Sequence, residues 1–469
     1  MKKRKNRKPK QLTLFDSYGQ DLNQNHDSGI ETGSVQVVEF LSRLEDQKNS
    51  TGKLLNQIMS YENLADAIKQ VRKNKGACGV DEQTIDQTVD WIQENHELLI
   101  ELILAGKYKV SAVRQVDIPK PDGGIRTLGI PTAQDRIIQQ AIHRQLTILY
   151  DRHFSENSYG FRPNRGAHGA VKQASQYVMQ GYKWVVDIDL EKYFDTIPHD
   201  RLMQRLSKGI GDKRLLKLIN QYLKAGMMKG GLEQQRIKGS PQGGPLSPLL
   251  SNIVLDELDK ELEKRGHKFC RYADDCNIFV KSRKAGERVM ESVIKFIEGK
   301  LKLKVNRKKS GVRLCEDVRF LGYTICTNGK IRVSNKSLKR LKHKIIKITK
   351  RNRGISMEQM IKELNAMIQG WGVYYNLAET YLSDVKKADA NIRNRLRCYR
   401  IKQAGGTYTI VKLLRMMGLP SQTCWNIAYW RRGYWAKSIH PKLRQAMSPS
   451  WFSHMGLRSL EKVICKYGG

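Results

Sequence analysis

A chain of 469 residues has room for about two to four domains, and its 84 Lys+Arg against 46 Asp+Glu leave a formal charge of +38. Such a surplus repels itself unless a polyanion covers much of the surface, which points to nucleic acid; no run of about 18 apolar residues supports a membrane span. The eight cysteines form no C-x-x-C pair and no zinc-type spacing with the ten histidines, and MKKRKNRKPKQLTLFDSYGQ turns polar at once, so the expectation is reduced thiols in a cytosol without structural zinc.

Residues 1–55 are polar and read as a basic, flexible arm. From Tyr61 the spacing of Leu64, Ala67, Ile68 and Val71 is helical, and a second helical stretch runs from Thr84 to about Leu104. KNKGACGVD between them is a glycine-punctuated loop. Residues 114–130 hold two extended segments around Pro121-Asp122-Gly123-Gly124, the chemistry of a hairpin turn. Helical patterns then alternate with strand-like runs at Trp184 to Leu190, Phe269 to Val280 and Val318 to Cys326, a mixture that predicts an α+β fold. From Ser337 onward the periodicity is helical only. Leu338, Leu341, Ile345 and Ile348 form one stripe, Ser356 and Gln359 a capping box before the next, and Val385, Ile392 and Leu396 a third. Residues 331–469 carry 28 Lys+Arg and 6 Asp+Glu, a surplus of 22, so this third of the chain is the electrostatic footprint.

The stretch FCRYADDCNIFV, residues 269–280, sets Asp274 and Asp275 side by side inside an apolar run. Desolvating a carboxylate costs several kcal/mol, so a cation must compensate the pair. WVVDIDLEKYFD, residues 184–195, is an apolar strand ending in Asp187 and Asp189, which share a face because strand side chains repeat every two residues. Pattern alone leaves either aspartate as a ligand. Convergence of this strand with Asp274 would give a scaffold for two Mg²⁺ ions about 3.5–4 Å apart.

Tyr272-Ala273-Asp274-Asp275 resembles the signature hairpin of reverse transcriptases, and DLEKYFD resembles their first palm motif, an aspartate followed five residues later by an aromatic. That resemblance selects Asp189, with Phe194 as its partner. Further blocks occur in the order found in group II intron-encoded reverse transcriptases: KGACGVDEQTID (75–86), DIPKPDGGIRTLGIPTAQDRIIQQAI (117–142), SENSYGFRPNRGAHGA (155–170), GSPQGGPLSPLLSNIVLDELD (239–259), LKLKVNRKKS (301–310), RFLGYTI (319–325) and, in the maturase or thumb domain, IQGWGVYY (368–375). The resemblance spans roughly residues 60–460. It implies a right-hand polymerase with an N-terminal extension and fingers over 56–182, a palm over 183–335, a helical thumb (maturase) domain over 336–405 and a basic helical nucleic-acid-binding region over 406–469.

By the same resemblance, Asp189, Asp274 and Asp275 are the catalytic carboxylates and the ligands of two Mg²⁺ ions. Lys120 and Arg126 flank the PDGG turn and clamp the triphosphate of a dNTP. Phe194 is the steric gate against a 2′-hydroxyl, Gln242 lies by the incoming sugar and base, and Lys309 serves the leaving pyrophosphate. Ser247-Pro248 reads as N-cap and N1 of the following helix. In CWNIAYWRRGYWAKS, residues 424–438, Trp425, Tyr429, Trp430, Tyr434 and Trp435 interleave with Arg431, Arg432 and Lys437, a pattern suited to stacking bases and holding phosphates. No histidine and paired-cysteine cluster of the family's C-terminal endonuclease follows Gly405. The implied activity is RNA-directed DNA synthesis with maturase action on a group II intron RNA, on target DNA and a primer strand, in a bacterial cytoplasm. Two alternatives accompany it, a reverse transcriptase recruited to defence or repair and a catalytically silent splicing factor, and a homodimer is left open.

Overall fold

The computed structural model describes residues 53–120, 123–230, 232–234, 236–379 and 382–467. The arm expected over 1–55 lies outside these residues except for its last three positions, where Leu54 and Leu55 are already buried in a short helix, Leu54–Ile58. The chain divides into two compact units. One takes in the described residues up to Ala170 together with Trp184–Val312, and the other Val171–Lys183 with the residues from Arg313 on.

In the first unit, local signals set the helix ends. Ser60 Oγ accepts from the Asn63 N–H at the start of Tyr61–Asn74, and Thr84 with Gln87 makes a reciprocal capping box at the start of Ile85–Leu104. The expected hairpin forms: β1 (Val113–Lys120) pairs antiparallel with β2 (Gly124–Ile130), in register from Arg114 opposite Ile130 to Lys120 opposite Gly124. Strands β4 (Met227–Lys229) and β5 (Leu232–Gln234) extend this sheet in the order β2-β1-β4-β5.

A second sheet carries the acidic motifs. Its strands are β3 (Trp184–Ile188), β6 (Lys268–Tyr272), β7 (Asp275–Val280) and β8 (Gly311–Leu314), in the order β6-β7-β3-β8. Helices Ala133–Tyr150 and Ser247–Lys264 share its core: Ile137, Ile138, Ile142, Ile253 and Leu258 are buried in one cluster with Val186, Ile188, Phe269 and Ile278. Each such side chain contributes about 1.5–3 kcal/mol by leaving water. The sheet is thereby a rigid base for whatever its strand ends carry.

Two local expectations differ from the structure. The helix at 247 is capped by Leu246, not Ser247; the Ser247 hydroxyl instead donates to the Pro241 carbonyl at 2.7 Å and accepts from Ser240 Oγ at 2.7 Å, tying down the preceding loop. Of the run 318–326 only Tyr323–Ile325 is a strand, paired with Ile331–Val333, because Leu321 and Gly322 take φ of 51° and 86° and break the extension.

The second unit is mainly helical. Asn335–Ile348, Met357–Tyr374 and Leu382–Ala404 realise the three stripes, but their apolar faces belong to one core that continues into the C-terminal helices. Leu364 and Ile368 are buried with Leu396, Leu414, Ile427, Phe452 and Leu460. At Gly372 a side chain would meet Val463 Cγ1 at 2.6 Å, so glycine there permits the close approach of helix Leu460–Tyr467.

Candidate active site

Register brings the acidic motifs together. Strand β3 pairs antiparallel with β7, Asp187 opposite Asn277 and Ile188 opposite Cys276, so Asp189, one residue further, comes level with the β6–β7 turn that carries Asp274. Asp274 is held above the usual carboxylate range, first by burial and then by the negative charge of Asp189, while Arg126 and Arg271 act in the opposite sense. The backbone of Asp189 is pinned: its N–H donates to Ser310 Oγ at 2.9 Å and its carbonyl accepts from the Asn306 N–H at 2.8 Å. Asp187 stays within β3, half-buried and one residue pair deeper in the ladder.

A buried cation lies in the same strand, although its ion pair is with Asp259 and not with Asp274 or Asp275, and its charge acts on Asp274 less than that of Arg126 does. Arg271 is fully buried, and each of its five N–H groups has an acceptor. Nε donates to Asp259 Oδ1 at 2.7 Å, Nη2 to Asp259 Oδ2 at 2.5 Å and Ser158 Oγ at 2.7 Å, and Nη1 to Asn252 Oδ1 and the Ala273 carbonyl, both at 3.0 Å. The last bond grips the turn at the residue before Asp274, where Ala273 takes φ of 57°. The SENSYGF block pads the same turn: Asn157 and Tyr159 bond the Arg271 backbone, and a Cβ at Gly160 would stand 2.4 Å from the Ala273 nitrogen. Sequence reading missed Arg271, Asp259, Asn252, Ser158 and Ser310 as supports. A lone arginine in an apolar strand was the available signal, since an unpaired guanidinium cannot be buried there.

Phe194 lies half-buried in the short helix Tyr193–Thr196, its ring edge-on to Tyr193 at 5.4 Å. Its carbonyl accepts from the Ser240 N–H at 2.7 Å, and Gly239, at φ of 85°, lies so close that a Cβ would meet the Phe194 oxygen at 2.7 Å. The same loop reaches the first sheet, since the Gly129 N–H donates to the Gln242 carbonyl at 2.9 Å. Phe194, Gln242 and strand β2 are thus held by one glycine-rich connection. Arg126 is exposed on β2 and its charge is felt by Asp274. The Lys120 backbone closes the β1–β2 ladder opposite Gly124, whereas its side chain, with Pro121 and Asp122, lies outside the described residues. Lys309 Nζ stands 3.8 Å from Asp189 Oδ2 and is mostly exposed. Asp275, expected as the third metal ligand, opens β7 exposed. Among the described residues no three His, Cys, Asp or Glu side chains converge as a ready-made ion cage. What assembles is the pair Asp189 and Asp274, whose mutual repulsion and partial burial fit a hard divalent cation that takes one or two carboxylates and completes its shell with water and phosphate.

In the second unit, Trp430 is half-buried with the Arg432 guanidinium 5.5 Å over its ring, and Trp435 is 43% exposed. Arg431 is exposed. Lys437 donates to the Ala428 carbonyl, closing the helix Ser421–Tyr429 with a cation at its C-terminal end. Trp425 and Tyr434 pack on the helical core.

A sheet with an aspartate on one strand and another on the adjoining hairpin turn, beside a basic hairpin joined through a glycine loop, is the fingers-and-palm arrangement of a right-hand polymerase. The model for reverse transcriptase (RNA-dependent DNA polymerase) matches residues 118–325, and that for the group II intron maturase-specific domain matches residues 338–409. Protein YkfC of Escherichia coli (strain K12) is 33% identical over 314 residues, 58% of this chain and 82% of that protein. Group II intron-encoded protein LtrA of Lactococcus lactis subsp. cremoris is 30% identical over 343 residues, 58% of this chain and 57% of LtrA. Putative COX1/OXI3 intron 2 protein of Saccharomyces cerevisiae is 35% identical over 233 residues, 48% of this chain and 27% of that protein. The chain therefore covers most of the first relative but only 57% and 27% of the other two. It belongs to the reverse transcriptase family and carries the maturase-specific domain of group II introns.

Proposed function

We propose that this protein is an RNA-directed DNA polymerase encoded by a group II intron, which extends a DNA primer on an RNA template and binds the intron RNA to assist its splicing and retrohoming. The observation that supports this most is the approach of Asp189 to Asp274, with the Arg126 charge set against their repulsion. Asp189 and Asp274 would hold two Mg²⁺ ions, with Asp275 at the mouth of the turn. When bound, the metal supplies activation of the primer 3′-hydroxyl and neutralisation of the leaving phosphate.

The chain's own groups do the rest. Arg126, with Lys120, binds the triphosphate of the incoming dNTP through charge-assisted hydrogen bonds. The Phe194 ring closes the space a 2′-hydroxyl would need. Gln242 borders the sugar and base on a loop fixed to both Phe194 and β2. Lys309 sits against Asp189 and serves the leaving pyrophosphate as a cation. The basic helical unit holds RNA and target DNA by phosphate contacts, with Arg431, Arg432, Trp430, Trp435 and Lys437 in that region. No helix among the described residues is long and apolar enough to cross a membrane, and a bacterial cytoplasmic location, on nucleoid DNA during integration, suits this role. Whether the protein acts as a monomer or homodimer follows from its sedimentation with and without RNA.

The test is extension of a DNA primer on an RNA template by the full chain, with and without chelator. Synthesis that needs Mg²⁺ and RNA template is expected. A protein that binds RNA but extends no primer under any divalent ion overturns the polymerase reading in favour of a silent splicing factor.

A further inference from the structure

Residues 390–460 contain 13 Lys+Arg and not a single Asp or Glu. Cations in that segment therefore find no carboxylate within it, and a surface so built is complementary to a polyanion. Within it, helices Thr407–Met416 and Ser421–Tyr429 form a hairpin whose inner faces are buried through Ile410, Val411, Leu414, Cys424, Ile427 and Ala428. The other side carries aromatic rings into solvent. Tyr408 is 70% exposed and Tyr429 67% exposed. Trp425 lies between them, stacked on Tyr429 at 5.4 Å and 17° and tilted against Tyr408 at 6.5 Å. Lys412 is one helical turn from Tyr408, and exposed Arg431 and Arg432 follow Tyr429 by two and three residues.

Large exposed aromatics are costly to leave in water, and here two exposed tyrosines flank the half-buried Trp425 in a run of ring contacts, with Lys412 a turn from one and Arg431 and Arg432 just after the other in sequence. Bases offer a flat apolar face that stacks on such rings only when unpaired, since a duplex hides it. Tyr408 falls inside the segment matching the maturase-specific domain, and Trp425 and Tyr429 lie just beyond it. We infer that Tyr408, Trp425 and Tyr429 form a stacking platform for unpaired bases of RNA, flanked by Lys412, Arg431 and Arg432 as phosphate contacts. This rests on the proposed RNA-binding role and adds to it a specific site that reads single-strandedness.

The experiment uses the full chain and three 20-nucleotide probes of one unstructured sequence: single-stranded RNA, the same RNA annealed to its complement, and single-stranded DNA. The double variant Tyr408→Ala/Tyr429→Ala, both positions exposed, should keep the wild-type melting temperature and weaken binding of single-stranded RNA about tenfold or more. Binding of the duplex should change less than twofold, and the salt slope for single-stranded RNA should stay as in wild type. Arg431→Ala/Arg432→Ala should instead flatten that slope, by about 0.7 for each phosphate contact removed. Unchanged affinity for single-stranded RNA in the aromatic variant overturns the platform alone. A loss confined to single-stranded DNA overturns RNA as its occupant. A wild-type protein that binds none of the RNA probes overturns the RNA-binding reading and the platform with it.

Discussion

Replacing Arg271 by methionine removes a guanidinium of similar length from the centre of the catalytic turn. It leaves Asp259 charged and fully buried with two oxygens that had faced Nε and Nη2, and it strips Ser158, Asn252 and the Ala273 carbonyl of a donor. Breaking one side of a buried ion pair costs about 3–5 kcal/mol, because the remaining charge is uncompensated. For a unit of this size about 1 kcal/mol moves the melting temperature by roughly 2–4 °C, so the expected drop is about 6–20 °C by calorimetry of the full chain. Adding Asp259→Leu should recover at least half of that drop, since no orphan charge then remains. Primer extension should not recover, because the Ala273 carbonyl still lacks its donor. A single variant that melts within about 2 °C of wild type refutes the assignment of Arg271 as the cation that makes this turn possible, and a double variant with restored synthesis refutes its positioning role.

Gly160→Ala forces a methyl to within 2.4 Å of the Ala273 backbone nitrogen, so it should lower the extension rate at saturating dNTP more than it lowers thermal stability; equal activity would mean that the turn tolerates displacement. Phe194→Ala should raise the ratio of ribonucleotide to deoxyribonucleotide incorporation about tenfold or more, equivalent to about 1.4 kcal/mol of discrimination, and an unchanged ratio would retire the gate. Asp256 is pushed up to about 6 by burial and the neighbouring Asp259 charge. A carboxyl raised above its unfolded value contributes stability that is complete below about pH 4 and lost as pH rises through about 6, so Asp256→Asn should show a smaller loss of unfolding free energy between those values than wild type. Parallel curves would contradict that sign.

Much of the polymerase core is legible in the sequence because its constraints are local. The β1–β2 hairpin follows from Pro-Asp-Gly-Gly between extended runs, and Thr84, Ser60 and Ser356 mark helix starts by the side-chain oxygens that their first turns need. The facing of Asp189 toward the Tyr272-Ala273-Asp274-Asp275 turn is not local; it depends on the β3–β7 register, which motif order implies but spacing alone does not fix. Ser247 illustrates the limit of cap reasoning, because its hydroxyl is drawn by the tertiary neighbours Ser240 and Pro241 rather than by its own helix. Arg271 was hidden for a similar reason: its five hydrogen bonds go to four residues, Ser158, Asn252, Asp259 and Ala273, of which only the last is near it in sequence. In the helical unit the stripes gave the helices, yet the single core running from Leu341 to Ile464 depends on contacts across more than a hundred residues.

Single-turnover primer extension by Asp189→Asn, Asp274→Asn and the double variant bears most directly on the claim that these two carboxylates act as one unit. Each single variant should lose at least a thousandfold in rate with RNA binding retained, and the double should be no slower than the worse single, as for groups that hold the same ions. Either single variant within tenfold of wild type, or losses that multiply in the double, would contradict it.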